Sequence, residues 1–175
     1  KGCNGVASRF GKINLKENKM KYISVAVDGP AGAGKSSVSK AVAKSLGYTY
    51  IDTGAMYRAV ALFAINNGID AKNETEKLVS HLNEVEIDIK YTDDGQQIYL
   101  LGENVSKRIR EEDVSVGASN VAVIPEVRKK LVELQRKMAE SANVIMDGRD
   151  ICSYVLPNAD VKIFLTASAE SRAKR

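Results

Sequence analysis

With 175 residues, 44% of them hydrophobic and 27% charged, the chain has the composition of a folded globular protein and room for one α/β domain with a small insertion. No apolar run approaches the roughly 18 residues of a membrane span, and the charged start lacks a signal-peptide core, so a cytoplasmic protein with no membrane partner is expected. The formal net charge of +4 resides in residues 1–20, where Lys1, Arg9, Lys12, Lys16 and Lys19 stand against Glu17; the remainder carries 21 basic and 21 acidic residues and gives no reason to expect a nucleic-acid partner.

Residues 1–19 show no periodicity and few large apolar residues, and are expected to form a disordered leader ahead of Met20. YISVAVD (22–28) is an apolar, β-branched run, as a strand buried on both faces would be. A helix over 35–46 follows, with Val38, Val42 and Leu46 on one stripe expected to face the core, and Gly47 stopping it. YTYID (48–52) is a second strand, AMYRAVALFAINNG (55–68) a second helix closed by glycine, and 74–82 a third. VEIDIKY and QQIYLLG alternate at period two around TDDG, an antiparallel hairpin inserted in an otherwise βα chain. Helices over 111–123 and 125–141 come next, the second with Pro125 in its first turn. NVIMD (143–147) and ADVKIFLT (159–166) complete the set as two more buried strands, and SAESRAKR opens a last helix. The pattern predicts a parallel sheet with helices on both faces, and a ligand at the carboxyl ends of its strands.

Three motifs lie at such ends. The first, Gly29-Pro30-Ala31-Gly32-Ala33-Gly34-Lys35-Ser36-Ser37, matches a phosphate-binding P-loop, with a strand before it and a helix after. Its glycines let backbone N–H groups point inward at an anion, and the helix start adds partial positive charge. Lys35 is expected to reach the β- and γ-phosphates of a nucleoside triphosphate, and the Ser36 hydroxyl to ligate Mg²⁺. The second, DTGAMYR (52–58), places Thr53 at a helix start and Arg58 on the first turns, a second site for an anion; Thr53 as a simple helix cap is the alternative. The third, DGRD (147–150), ends a strand on Asp147, placed as the acid near Mg²⁺, and adds the Arg149 fork and the Asp150 acceptor; a surface turn with an internal ion pair is the alternative. The cysteines Cys3 and Cys152 and the single histidine, His81, have no spacing for a structural metal.

The series GPAGAGKSS, DTGAMYRAVA, ASNVAVIPEVRKKLVELQR, DGRDI and ADVKIFLTASAESRAKR, in this order and spacing, closely resembles the bacterial cytidylate kinases, from about Met20 to Arg175. The resemblance implies an α/β P-loop kinase domain over 20–175, with an antiparallel insert within 80–120 in its nucleoside-monophosphate-binding region. It implies Mg²⁺-dependent phosphoryl transfer from ATP to CMP and dCMP, and a monomer is expected. By position, Thr53, Ser119, Arg128, Arg149 and Asp150 would bind the acceptor, and Arg58 would reach its phosphate. Arg149 would bridge toward the transferred group, and Arg172 and Arg175, at the start of the lid, would contact ATP. Lys35, Arg58 and Arg149 are thus the expected catalytic cations. A kinase of another small acceptor (UMP, shikimate) and a nucleotide-dependent switch without turnover are the competing readings. The family commonly reads GRDIG-T where this chain has Cys152 and Ser153, and Cys152 is expected to pack as a buried thiol. Because the given sequence stops at Arg175, short of the rest of the family's lid, final strand and last helix, this stretch is expected to bind CMP better than it turns it over.

Overall fold

The computed structural model describes residues 22–92 and 95–174. The expected leader, Cys3, the hairpin tip at Asp93 and Asp94, and Arg175 lie outside the described residues. The elements follow in chain order: β1 (Ser24–Asp28), α1 (Lys35–Leu46), β2 (Thr49–Asp52), α2 (Thr53–Asn66), α3 (Thr75–Ser80), β3 (Ile87–Thr92), β4 (Gly95–Leu100), β5 (Glu103–Asn104), α4 (Glu112–Val121), α5 (Pro125–Ala139), β6 (Val144–Asp147), β7 (Val161–Phe164) and α6 (Ala169–Ala173). One parallel sheet has the order β2-β6-β1-β7, and β3-β4-β5 form a separate antiparallel sheet.

Alternation of side chains along the parallel strands divides the core in two. Ala26, Ile51, Val144 and Met146 join α2, α4 and α5 in the larger cluster, while Val25, Val27, Tyr50 and Ile145 pack with Ala43 of α1. Helices therefore cover both faces. Helix α2 is apolar nearly all round, from Ala55 to Ala64, and it is correspondingly buried between layers. It meets α4 closely: a Cβ on Gly117 would lie 3.2 Å from the Ala61 Cβ.

Two expectations fail. The stripe Val38, Val42 and Leu46 on α1 is exposed at 50%, 40% and 55%, and the helix docks instead through Ser39 and Ala43. Small side chains let the helix backbone approach the sheet closely, a preference that apolar periodicity alone does not reveal. The strand β7, expected to be buried, is exposed at all four residues. Among the described residues it pairs with β1 alone, at the edge of the sheet, and Val161, Ile163 and Phe164 stay accessible there.

The register decides what the sheet presents at its carboxyl end. Asp52 of β2 stands beside Asp147 of β6, which stands beside Val27, one residue before Asp28 of β1. Three strands thus each end in an aspartate at one rim, where the three sequence motifs converge.

Candidate active site

The loop between β1 and α1 turns on Gly29, whose φ is +148°, and a Cβ there would fall 2.0 Å from the Leu165 carbonyl oxygen. Only glycine fits such a turn against the backbone that leaves β7. The loop hands over to α1 through Gly34 in the left-handed region, with no side chain capping the helix start. An α-helix begun this way leaves its first N–H groups for an anion. The Lys35 ammonium donates to the carbonyls of Gly29 (2.7 Å) and Pro30 (2.9 Å), which ties it to the backbone of its own loop. Burial lowers the Lys35 pKa; Asp147 and Asp28 pull it back up, and Arg149 pushes it further down. Gly32 packs against α6, since a Cβ there would lie 3.2 Å from the Arg172 carbonyl oxygen; Arg172 is thereby held beside the loop.

The three rim aspartates do different work. Asp28 is buried and accepts from the N–H groups of Ile151 and Cys152, both at 2.8 Å, which clamps the turn that follows DGRD. Asp147 is buried and accepts from the Ser36 hydroxyl through Oδ2 and from the Tyr50 hydroxyl through Oδ1, both at 2.8 Å. Burial holds its pKa above the ordinary carboxylate value, against the two hydrogen bonds that lower it. Asp52 accepts from the Ala55 N–H at 3.0 Å and pairs with Arg58 at 3.2 Å, so it both caps α2 and positions an arginine. Thr53 is accordingly not the cap: it is buried, and its hydroxyl donates to the Asp147 carbonyl at 2.7 Å. The Arg58 Nε is buried with no hydrogen-bond partner among the described residues.

The opposite wall comes from α4 and α5. Arg128 pairs with Asp150 and lies over the Tyr154 ring, 5.3 Å from its centroid. Asp150 therefore pairs across the cleft, and the internal Arg149–Asp150 pair considered from sequence does not form. Arg149 is exposed and makes no hydrogen bond or ion pair among the described residues. Together Ala31, Gly32, Lys35, Ser36, Thr53, Arg58, Ser119, Arg128, Asp147, Arg149 and Asp150 line one cleft of about 520 Å³. Of the expected site residues, Gly29, Pro30, Ala33, Gly34 and Ser37 shape the loop without lining that cleft, and Arg172 stands beside it.

Sequence reasoning missed Asp28, Tyr50 and Asp52, as well as Tyr57 and Ser115, which line the same cleft, and Gln96, whose side chain accepts from the Asp52 N–H. Asp28 and Asp52 had a usable signal, an acid closing an apolar strand just ahead of a glycine motif, whereas Tyr50 and Gln96 had none. Cys152, expected to be a buried thiol, is only half-buried, with its Sγ 3.6 Å from the Ala26 carbonyl oxygen; burial and then Asp28 push the thiol pKa up, which lowers its thiolate fraction. Gly148 has no room for a side chain: a Cβ would lie 2.6 Å from Ile151 Cδ1 and 2.8 Å from Thr53 Oγ1. Gly148→Ala should destabilise the protein by about 1–3 kcal/mol, read in chemical denaturation; an unchanged midpoint would mean that the turn yields freely.

Residues 25–175 match the family model described as cytidylate kinase. The chain belongs to the cytidylate kinase family. Among curated cytidylate kinases, that of Caldicellulosiruptor saccharolyticus is 55% identical over 156 residues, covering 89% of this chain and 69% of the relative. That of Anoxybacillus flavithermus is 50% identical over 155 residues, covering 89% and 68% respectively. A solved structure, TT1252 from Thermus thermophilus, superposes at a TM-score of 0.40 with 21% identity, over 87% of this chain and 70% of the other.

Proposed function

We propose that this member of the cytidylate kinase family transfers the γ-phosphoryl group of ATP to CMP and dCMP, with residues 20–175 working as one P-loop kinase domain. The observation that carries the reading is the single cleft, in which a P-loop and an uncapped helix start face arginines drawn from α2, α5 and the DGRD turn. A switch that holds one triphosphate has no use for the second set of arginines. An acceptor that itself carries a phosphate does.

The residues present suit Mg²⁺. A hydroxyl oxygen and a carboxylate oxygen, Ser36 Oγ and Asp147 Oδ2, already lie 2.8 Å apart at the start of α1. A hard cation bound to triphosphate takes such oxygens and fills its remaining positions with phosphate and water. When bound, Mg²⁺ neutralises phosphate charge and fixes the triphosphate's geometry. Everything else falls to the chain. The P-loop backbone and Lys35 hold the β- and γ-phosphates, and Lys35 exchanges two carbonyl partners for phosphate oxygens, a stronger charge-assisted contact. Arg58, held by Asp52, meets the acceptor phosphate. That phosphate is largely deprotonated at neutral pH, since its second pKa is about 6, so its oxygen attacks the γ-phosphorus without a general base. The bond from γ-phosphorus to the bridging oxygen breaks, ADP leaves with the electron pair, and Arg149 and Arg172 offset the charge spread over the transferring group.

Arg128 and Asp150 form the base-side wall, with Ser119 beside them. A carboxylate accepts from cytosine's exocyclic amine and repels the carbonyl that uracil carries there. Asp150→Ala should therefore raise the KM for CMP by about ten- to a hundredfold and narrow the preference for CMP over UMP, while the KM for ATP changes little. Competition assays with the two acceptors check this. Full discrimination in Asp150→Ala would move base reading to Ser119 or Arg128.

A further inference from the structure

β2 is the outer strand of the parallel sheet, and its Asp52 N–H points away from β6 toward the antiparallel sheet. It finds no strand there. Its partner is a side chain from β4: the N–H donates to Gln96 Oε1 at 2.8 Å. That contact fixes the orientation of the Gln96 amide, because only the oxygen can accept. The Gln96 Nε2 is left buried, with no partner among the described residues. The amide has thus been drawn into the gap between the two sheets, with one of its polar atoms unsatisfied, and the bond to Asp52 offsets that cost.

Asp52 is the residue that holds Arg58. Its backbone is pinned by Gln96, one carboxylate oxygen caps α2 and the other pairs with the guanidinium. A shift of the Asp52 backbone therefore moves the group expected to meet the acceptor phosphate, while the P-loop, on the far side of Asp147, keeps its own supports. We propose that Gln96 is a positioning residue for the acceptor side of the cleft. Through Asp52 it sets Arg58, and it makes the small antiparallel sheet a determinant of CMP binding without touching CMP. This rests on the reading of the cleft as a cytidylate site.

The test is calorimetric titration of CMP and of ATP, separately, into the unaltered protein, Gln96→Met, Arg58→Lys and the double variant. Gln96→Met keeps the length of the side chain and removes the acceptor; Gln96→Ser, polar but too short to reach Asp52, makes the same cut and serves where Gln96→Met does not fold. The expected result is a CMP dissociation constant raised about five- to tenfold, with that for ATP unchanged within about twofold. In the Arg58→Lys background the same substitution should change CMP affinity by less than about twofold, because the two residues act in one chain of contacts. Equal losses for both nucleotides, or additive losses in the double variant, would overturn the inference and leave Gln96 as a dock between sheets. Failure of the unaltered protein to bind CMP would overturn the cytidylate reading itself, and this inference with it, before any variant is compared.

Discussion

Replacing Lys35 with alanine should lower turnover by about a hundred- to a thousandfold while leaving the fold in place, the range found when one preorganised hydrogen-bond donor to a transition state is removed. The structural cost is small because two effects oppose. The ammonium is partly desolvated, which lowers its pKa, and its removal relieves that. Its loss also frees the carbonyls of Gly29, which is buried, and of Pro30, which is half-buried, so water replaces the ammonium there only in part. With the relieved desolvation set against a partly unsatisfied Gly29 carbonyl, a change in unfolding free energy of about 1–2 kcal/mol is expected. ATP affinity should fall less than turnover does, since the backbone cradle and the start of α1 remain. Steady-state kinetics beside a denaturation curve separate the two effects. Near-normal turnover in Lys35→Ala would remove the P-loop lysine from the chemistry.

Arg149→Ala should cost turnover about as much, and for a cleaner reason. Arg149 is exposed and makes no ion pair or hydrogen bond among the described residues, and its charge opposes that of Lys35. Among the described residues nothing bonds to it, so the unfolding free energy should move by no more than about 0.5 kcal/mol. A second cation close enough to Lys35 to lower its pKa suits the negative charge that arrives during reaction. Arg149→Lys should recover only part of the rate, because an ammonium keeps the charge and loses the planar fork that can span two phosphate oxygens. If Arg149→Ala melts early instead, the residue is structural and the cage of cations lacks a member.

The P-loop was legible because its pieces are local: glycine angles, a lysine and a hydroxyl at fixed offsets, and a helix that starts where the loop stops. The ends of β2 and β6 were legible as motifs for the same reason. What the residues there do to one another was not. Asp52 and Asp147 look alike in sequence, each an acid closing an apolar strand, yet one caps α2 and holds Arg58 while the other takes two hydroxyls. That division follows from parallel register, which sets them side by side across β2 and β6. Asp150 looked able to pair with its neighbour Arg149; α5 supplies Arg128 from 22 residues earlier, and a distant partner of good geometry wins over an adjacent one. The stripe on α1 misled because periodicity reports that a helix has an apolar side, not that this side meets the sheet. The β7 run misled because an apolar β-branched pattern says nothing of strand order, and among the described residues β7 has a neighbouring strand on one side alone.

The central claim, phosphoryl transfer from ATP to a cytidine monophosphate, is tested most directly by following nucleotide products after mixing the protein with ATP, Mg²⁺ and one acceptor at a time: CMP, dCMP, UMP, AMP or shikimate. The account predicts that CMP and dCMP each yield their diphosphate and ADP in equal amounts, at rates at least about tenfold above UMP, with little ADP when no acceptor is present. ADP release that is indifferent to CMP, or a faster reaction with UMP, AMP or shikimate, would contradict it.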